Sequence, residues 1–342
     1  MYVQRNIGLR SLIQESWVLL VVSTAWSSLI YYLNAFTGLE LLAIPMAPVT
    51  IIGIAVSLYL GFKSTSAYNR WWEARKIWGE IIILSRAWGT SVFSLIYTPG
   101  DAKDEDVQRR LIHRHLAWVN ALAYQLRLNS RLKTTEKTRI FGHRRALEDI
   151  DHQQSKESYE RFLSPQESAA LAPYANPATQ ILRRQADELR ALAENGTLDS
   201  YRQVALMELI WGFCETQGKS ERIKNTPFPR QVANFGELFT WVFIVLLPLA
   251  LAEVFLEETF KHHVSEGASH AFLLIMVPFT VLISWVFYIM EKVSDSTEDP
   301  FEGGATDVPI SAIARTIEID LEQMIEAERR PEPLQPIDGV LY

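Results

Sequence analysis

The chain has 342 residues, 33 Lys plus Arg against 40 Asp plus Glu, and a formal net charge of -7. An acidic average surface gives no basic footprint for a nucleic-acid partner. The single cysteine, Cys214, excludes an intrachain disulfide framework and a Cys-rich zinc site.

The apolar residues, 48% of the chain, are concentrated in four stretches. Trp17 to Leu33 carries no charge over 17 residues, and Leu41 to Phe62 carries none over 22. Leu238 to Phe255 is interrupted only by Glu253, and Ala271 to Met290 carries no charge over 20 residues. A helix needs about 20 apolar residues to cross a hydrocarbon core of about 30 Å, so each stretch reads as a membrane span. Several of the ten Trp fall near the ends of these stretches, where indole rings suit the interface. The first stretch is broken up by Trp17, Trp26, Tyr31 and Tyr32 and lacks a small-residue cleavage pattern, so it is expected to stay attached.

Basic residues flank the spans unevenly. Arg5 and Arg10 precede the first, Lys63, Arg70, Arg75 and Lys76 follow the second, and Lys292 follows the fourth. The turn from Asn34 to Glu40 has no Lys or Arg, and that from Leu256 to His270 has only Lys261. The positive-inside rule then places both termini and the long middle region in the cytoplasm. The expected organisation is residues 1–62 with the first helix pair, a cytoplasmic helical region at 63–237, the second pair at 238–290, and a cytoplasmic segment at 291–342.

Within the middle region, Ile77 to Tyr97 has helical periodicity but carries Glu80 and Arg86. It is expected to lie along the membrane surface or inside a bundle. Further helices are predicted over Asp104 to Leu128 and over Thr179 to Cys214, with a break at Asn195–Gly196. The polar stretch 141–175, with Pro165, Pro173 and the nearby Pro177, is expected to wrap the helical body.

In the second span, Ile54, Leu58 and Phe62 recur at steps of four and form a column, while Gly53, Ala55, Ser57 and Gly61 leave room for neighbouring helices. Such a column is either ordinary packing or, with several copies around one axis, a hydrophobic constriction. After it, Arg70, Trp71, Trp72 and Glu73 read as a membrane junction of aromatic anchors and basic residues. Glu253 is the one ionisable group inside a predicted span, and such a group is costly unless paired or near an edge. His113 and His115 point about 200° apart on a helix, which argues against a shared metal, and His262–His263 also lacks helical ligand spacing. With no phosphate cradle or nucleophile elbow, the chain is not read as an enzyme.

Three ordered motifs then carry a resemblance. Gly61–Phe62 leads to Arg70, Trp71 and Trp72; ERIKNTPFP occupies residues 221 to 229; DPFEGG and DVPI occupy 299 to 310. In this the sequence resembles a bacterial bestrophin over about residues 5 to 325. The resemblance implies an all-α membrane protein with four transmembrane helices and a large cytoplasmic helical body, a homopentamer around a central pore in a bacterial inner membrane. It implies a neck at Ile54, Leu58 and Phe62, where Leu58 departs from the aromatic residue of animal relatives. It also implies a second, cytoplasmic aperture near the start of a long helix, at Leu198 or Val204. Animal relatives bind calcium after the last span. The matching residues here, Asp299, Pro300 and Phe301 with Glu302 and Asp307, lack the dense acidic run, so a turn joining neighbouring subunits is expected in place of a metal site, with no cofactor. The expected partners are permeant monovalent ions and the lipid bilayer. Animal bestrophins resemble anion channels, and bacterial relatives need not share that preference; monovalent cations are expected to be favoured, although the acidic net charge supports this only where acidic groups line the path, which the sequence does not show. A chloride or other anion channel and a non-conducting scaffold are the alternatives.

Overall fold

The computed structural model describes residues 1–3, 8–37, 43–96, 103–128, 156–261, 266–326, 331–337 and 339–342. Among them the secondary structure is helical: α1 (Leu9–Phe36), α2 (Met46–Leu95), α3 (Lys103–Arg127), α4 (Glu157–Glu160), α5 (Pro165–Ala169), α6 (Pro177–Glu194), α7 (Ser200–Asn225), α8 (Arg230–Lys261), α9 (Glu266–Leu274), α10 (Met276–Thr297) and α11 (Ile310–Met324). Only isolated bridges, Tyr2 with Val340 and Ile337 with Val340, break the pattern among the described residues. They tie the first residues to the last, with Val3 N–H donating to Gly339 O at 2.9 Å and Leu341 N–H to Met1 O at 2.8 Å.

Four helices are long and apolar enough to span a bilayer among the described residues: Leu12–Phe36, Met46–Leu95, Arg230–Thr259 and Ser269–Thr297. Three of the expected spans lie inside one of them; the second, Leu41 to Phe62, does so from Met46 onward, and its residues 41–42 lie outside the described residues. The chain divides into two units, one of residues 6–69 and 227–298, the other of 1–5, 70–226 and 299–342.

In the first unit, α1 and α8 both pack on α10 around Ile30, Val56, Leu60, Phe243, Leu247 and Met276. Indole N–H groups add directional ties: Trp26 donates to Val245 O at 3.0 Å and Trp285 to Ser16 Oγ at 2.8 Å. The outward faces of α1, α8 and α10 carry large aliphatic side chains, among them Val18, Val21, Val22, Val242, Val245, Leu282 and Val286. An apolar rim of that extent belongs in lipid, not in water.

In the second unit, α3 lies at the centre, with Leu111, Ile112, Leu116, Ala117, Trp118, Val119, Ala121 and Leu122 buried on successive faces. Trp118 Nε1–H donates to Gln217 Oε1 at 2.9 Å. Arg114 is buried between Glu167, at 2.7 Å, and Glu188. Pro165 and Pro177 start helices at their first positions, where a missing N–H costs nothing. They follow the capping side chains Ser164 and Asn176. Gly196, at φ +83°, separates α6 from α7, so the expected break is where the backbone turns left-handed. Residues 129–155, including residues 141–155 of the stretch expected to wrap the body, lie outside the described residues.

The sequence reading separates 41–62 from 77–97; in the structure residues 46–62 of the first and 77–95 of the second belong to one helix, α2, of 50 residues. The reason is a single buried stripe. Val49, Gly53, Val56, Leu60, Lys63 and Ala67 follow one another at alternating steps of four and three, and Ala74, Ile77, Ile81, Ser85, Trp88 and Val92 continue the spacing. A repeat near 3.5 residues keeps one face of a long helix inward throughout. The expected boundary at 62/63 therefore falls inside a helix.

Gly53 sits where α2 meets α8. An added Cβ would come within 2.8 Å of Phe243 Cε2, whereas one at Gly61 meets nothing within 4 Å. Gly53→Ala is accordingly expected to lower subunit stability by about 1–3 kcal/mol. Gly61→Ala should be neutral, or stabilising by up to about 1 kcal/mol through helix propensity. Thermal unfolding of the two variants in detergent checks the contrast; equal midpoints would contradict the close α2–α8 packing.

Candidate functional site

The neck candidates come first. On α2, Ile54, Leu58 and Phe62 are 57%, 61% and 74% exposed, so the column stands mostly outside the packing of its own subunit. Between them Ala55, Ser57, Gly61, Ser64 and Thr65 are also exposed. This face differs in degree from the aliphatic rims of α1, α8 and α10: Ile51, 68% exposed, and the three column residues stand out from a surface otherwise of small and hydroxyl-bearing residues.

Two carboxylates hold the two ends of this segment. Glu253, on α8, accepts the Met46 backbone N–H at 2.7 Å. It occupies the N-terminus of α2, where unpaired N–H groups and the helix dipole favour an anion. The expectation that Glu253 is costly unless paired is thus met by a backbone donor on another helix. At the inner end, Lys63 Nζ donates to Glu291 Oε1 of α10 at 3.0 Å, with side-chain exposures of 0% and 5%. Sequence reasoning treats Lys63 only as a basic flank. The signal that finds it is its place on the buried stripe, one turn after Leu60 and one before Ala67.

The junction residues divide by partner. Arg70 Nη2 donates to Ile223 O and lies 3.5 Å from Asp299 Oδ1. Trp71 Nε1–H donates to Thr306 O at 2.9 Å. Glu73 pairs with Arg222 at 2.6 Å, and Trp72, 46% exposed, stacks on Trp71. The junction thereby ties α2 to the end of α7 and to the turn that follows α10.

That turn, residues 299–309, is internally matched. Asp299 faces Arg70, Glu302 pairs with Lys224 at 2.8 Å, and buried Asp307 faces the buried Arg127 guanidinium. Phe301 is 1% exposed, and Val308 N–H donates to Pro300 O at 3.1 Å. Gly303 adopts φ +95°, and a Cβ there would stand 2.6 Å from Arg127 Nη1. Its N–H donates to Asp307 Oδ2 at 2.7 Å. Three cations from three helices face the three carboxylates, so the turn closes on groups of this chain. Among the described residues no three His, Cys, Asp or Glu side chains converge in a metal-holding group.

The two histidines of the HxH pair have separate surroundings. His115 is buried against Trp88, Trp118 and Phe213; its Nε2 lies 2.9 Å from Ser85 Oγ, and burial pushes its pKa down to about 3. His113 Nε2 lies 3.5 Å from Glu322. His262 and His263 lie outside the described residues. Of the two positions considered for a second aperture, Leu198 is buried, at 2% exposure, and packs in the core of the second unit. Val204 is 53% exposed on α7.

These features define a class: a polytopic helical membrane protein whose second helix presents a distinctive outward column. The chain belongs to the bestrophin family, since the family model described as "Bacterial/Fungal Bestrophin protein" matches residues 7–323. A voltage-dependent anion channel-forming protein of Mesorhizobium japonicum is 27% identical over 91% of this chain and 85% of its own length. Another of that name, YneE of Escherichia coli K12, is 27% identical over 85% of this chain and 80% of its own. The crystal structure of a bacterial bestrophin homologue from Klebsiella pneumoniae has the same fold, with a TM-score of 0.72 over 91% of this chain and 98% of that one at 22% identity.

Burial raises the Asp307 pKa to about 6, against the opposing pull of Arg127 and the Gly303 and Gly304 N–H groups. A carboxyl with a raised folded pKa contributes stability below its unfolded value of 3.8 and loses it as pH rises through about 6. Between pH 7.5 and 5, wild type is therefore expected to gain roughly 1 kcal/mol on Asp307→Asn. Unfolding of both proteins at the two pH values measures this, and a difference that stays flat would contradict it.

Proposed function

We propose that the chain is the subunit of a passive anion channel: five copies around one axis, with Ile54, Leu58 and Phe62 forming the hydrophobic neck. The observation that carries this reading is the outward column of α2, which apart from Ile51 is set in small and weakly polar residues, while the other spans expose more aliphatic ones. Lipid would favour a uniformly apolar face. A narrow aqueous path favours exposed hydroxyl groups interrupted by a constriction that gates by dewetting. In such an assembly Gly61, which meets nothing in its own subunit, lets neighbouring α2 helices come close.

The cation preference expected from the sequence is replaced here by anion conduction. Net charge sums the whole surface, whereas residues 46 to 62 carry no ionised side chain, so the acidic excess says nothing about the neck. The similar proteins from Mesorhizobium japonicum and Escherichia coli are named as anion channel-forming, and that supports the anion reading. The distribution of Lys and Arg around the spans supports inner-membrane insertion with both termini cytoplasmic. Arg70, Trp71, Trp72 and Glu73 act at the membrane junction, with Trp72 at headgroup level and the Arg70 and Trp71 bonds holding Asp299, Pro300 and Phe301 in their turn. Val204, and not Leu198, is assigned to the second aperture, because a side chain buried in its own subunit cannot line a path.

Purified protein in planar bilayers under a KCl gradient tests the proposal. The reversal potential is expected on the chloride side, with single-channel currents enlarged at least twofold by Leu58→Ala or Phe62→Ala. A reversal potential on the potassium side would replace the anion assignment. Folded, inserted oligomers that carry no current would favour the scaffold. A further comparison concerns Val204→Ala, expected to change ion preference more than Leu198→Ala in assembled protein; the reverse order would move the second aperture.

A further inference from the structure

Lys63 directly follows the last neck residue, yet its ammonium is fully buried and bonded to Glu291. Glu291 is held from a second side as well, with Lys292 Nζ 3.8 Å from Oε2. A buried ion pair adds little net stability compared with apolar residues of similar size, while breaking it from one side leaves an uncompensated buried charge and is strongly destabilising. What it supplies that apolar packing lacks is a fixed direction, since an ammonium accepts few sites in a low-dielectric interior. On a helix turning about 100° per residue, a Lys63 pinned toward α10 places Phe62 about 100° away, Leu58 about 140° and Ile54 about 180°. The neck column is thus the face that this pin turns outward. At the other end, the Glu253 carboxylate on the Met46 N–H fixes the height of the same helix.

We infer that the Lys63–Glu291 pair is the positioning element of the neck, setting the rotation of α2 so that Leu58 and Phe62 face the pore. The inference rests on the reading of Ile54, Leu58 and Phe62 as the neck. Nothing in the pair touches a permeating ion; it acts through the orientation of the helix.

The test replaces both partners together, Lys63→Met with Glu291→Met, so that no buried charge is orphaned, with Lys63→Arg as the conservative control. Single cysteines are introduced at Leu58 or at buried Leu60 in a Cys214→Ser background. Their modification rates by a charged methanethiosulfonate reagent are measured in lipid nanodiscs, alongside unitary conductance in bilayers. With the native pair or Lys63→Arg, position 58 is expected to react at least tenfold faster than position 60. In the double Met variant the ratio should fall at least threefold and the conductance spread into several levels, although the oligomer assembles. A double variant with the native ratio and a single conductance would overturn the proposal. So would a double variant that fails to assemble, because the pair would then be a stability element. If the native protein carries no current while the ratio still shifts, the channel reading fails and the positioning role of the pair stands.

Discussion

A 50-residue helix, about 75 Å long, can be held in one protein only if it keeps one face buried from end to end. In α2 that face is the stripe from Val49 to Val92, and most of what is distinctive in the chain follows from it. The stripe decides which residues are left outward. Because Val56, Leu60 and Lys63 face in, Leu58 and Phe62 face out. The stripe also explains why a basic residue can be buried next to a membrane span. Position 63 is an inward position, so its ammonium required an inward partner, and Glu291 supplies it.

The two units solve the same problem, burying polar groups, in different ways. Around α1, α8 and α10, hydroxyl groups return to their own helices, as Ser27 Oγ does to Ser23 O and Thr280 Oγ1 to Met276 O, while indole N–H groups bridge between helices. In the helical body, side-chain networks replace them: Arg114 with Glu167 and Glu188, Trp118 with Gln217, and the matched charges of the turn after α10. The turn at 299–309 is closed by cations from α2, α3 and α7, so its position is determined by three elements distant in sequence.

The four spans were legible because hydrophobic length is a local signal, and the helix break at Asn195–Gly196 because a left-handed glycine is one too. The continuity of α2 was hidden by Lys63, Arg70, Glu73 and Arg75, which read as the end of a span. Only the spacing of buried positions across them shows a single helix. Pro165 and Pro177 read as breakers where they are starters, since a proline's meaning depends on whether a capping residue precedes it. The proposed neck positions come from the family resemblance, matched on the distance between Gly61–Phe62 and Arg70, and the structure adds the exposure of those side chains. The partners of Lys63, Glu253 and Asp307 come from helices far along the chain, and no local pattern names them. The choice between Leu198 and Val204 likewise needed burial, because both are apolar residues near one helix start.

The central claim is that the outward column of α2 in one subunit meets the same column in its neighbours. Disulfide cross-linking in a Cys214→Ser background tests it most directly, with a single cysteine placed at Leu58, Phe62 or Leu60 and mild oxidation of the protein in native membranes. The account predicts covalent dimers from positions 58 and 62 and none from 60. Dimers from 60 alone, or none from any position in correctly inserted protein, would contradict it.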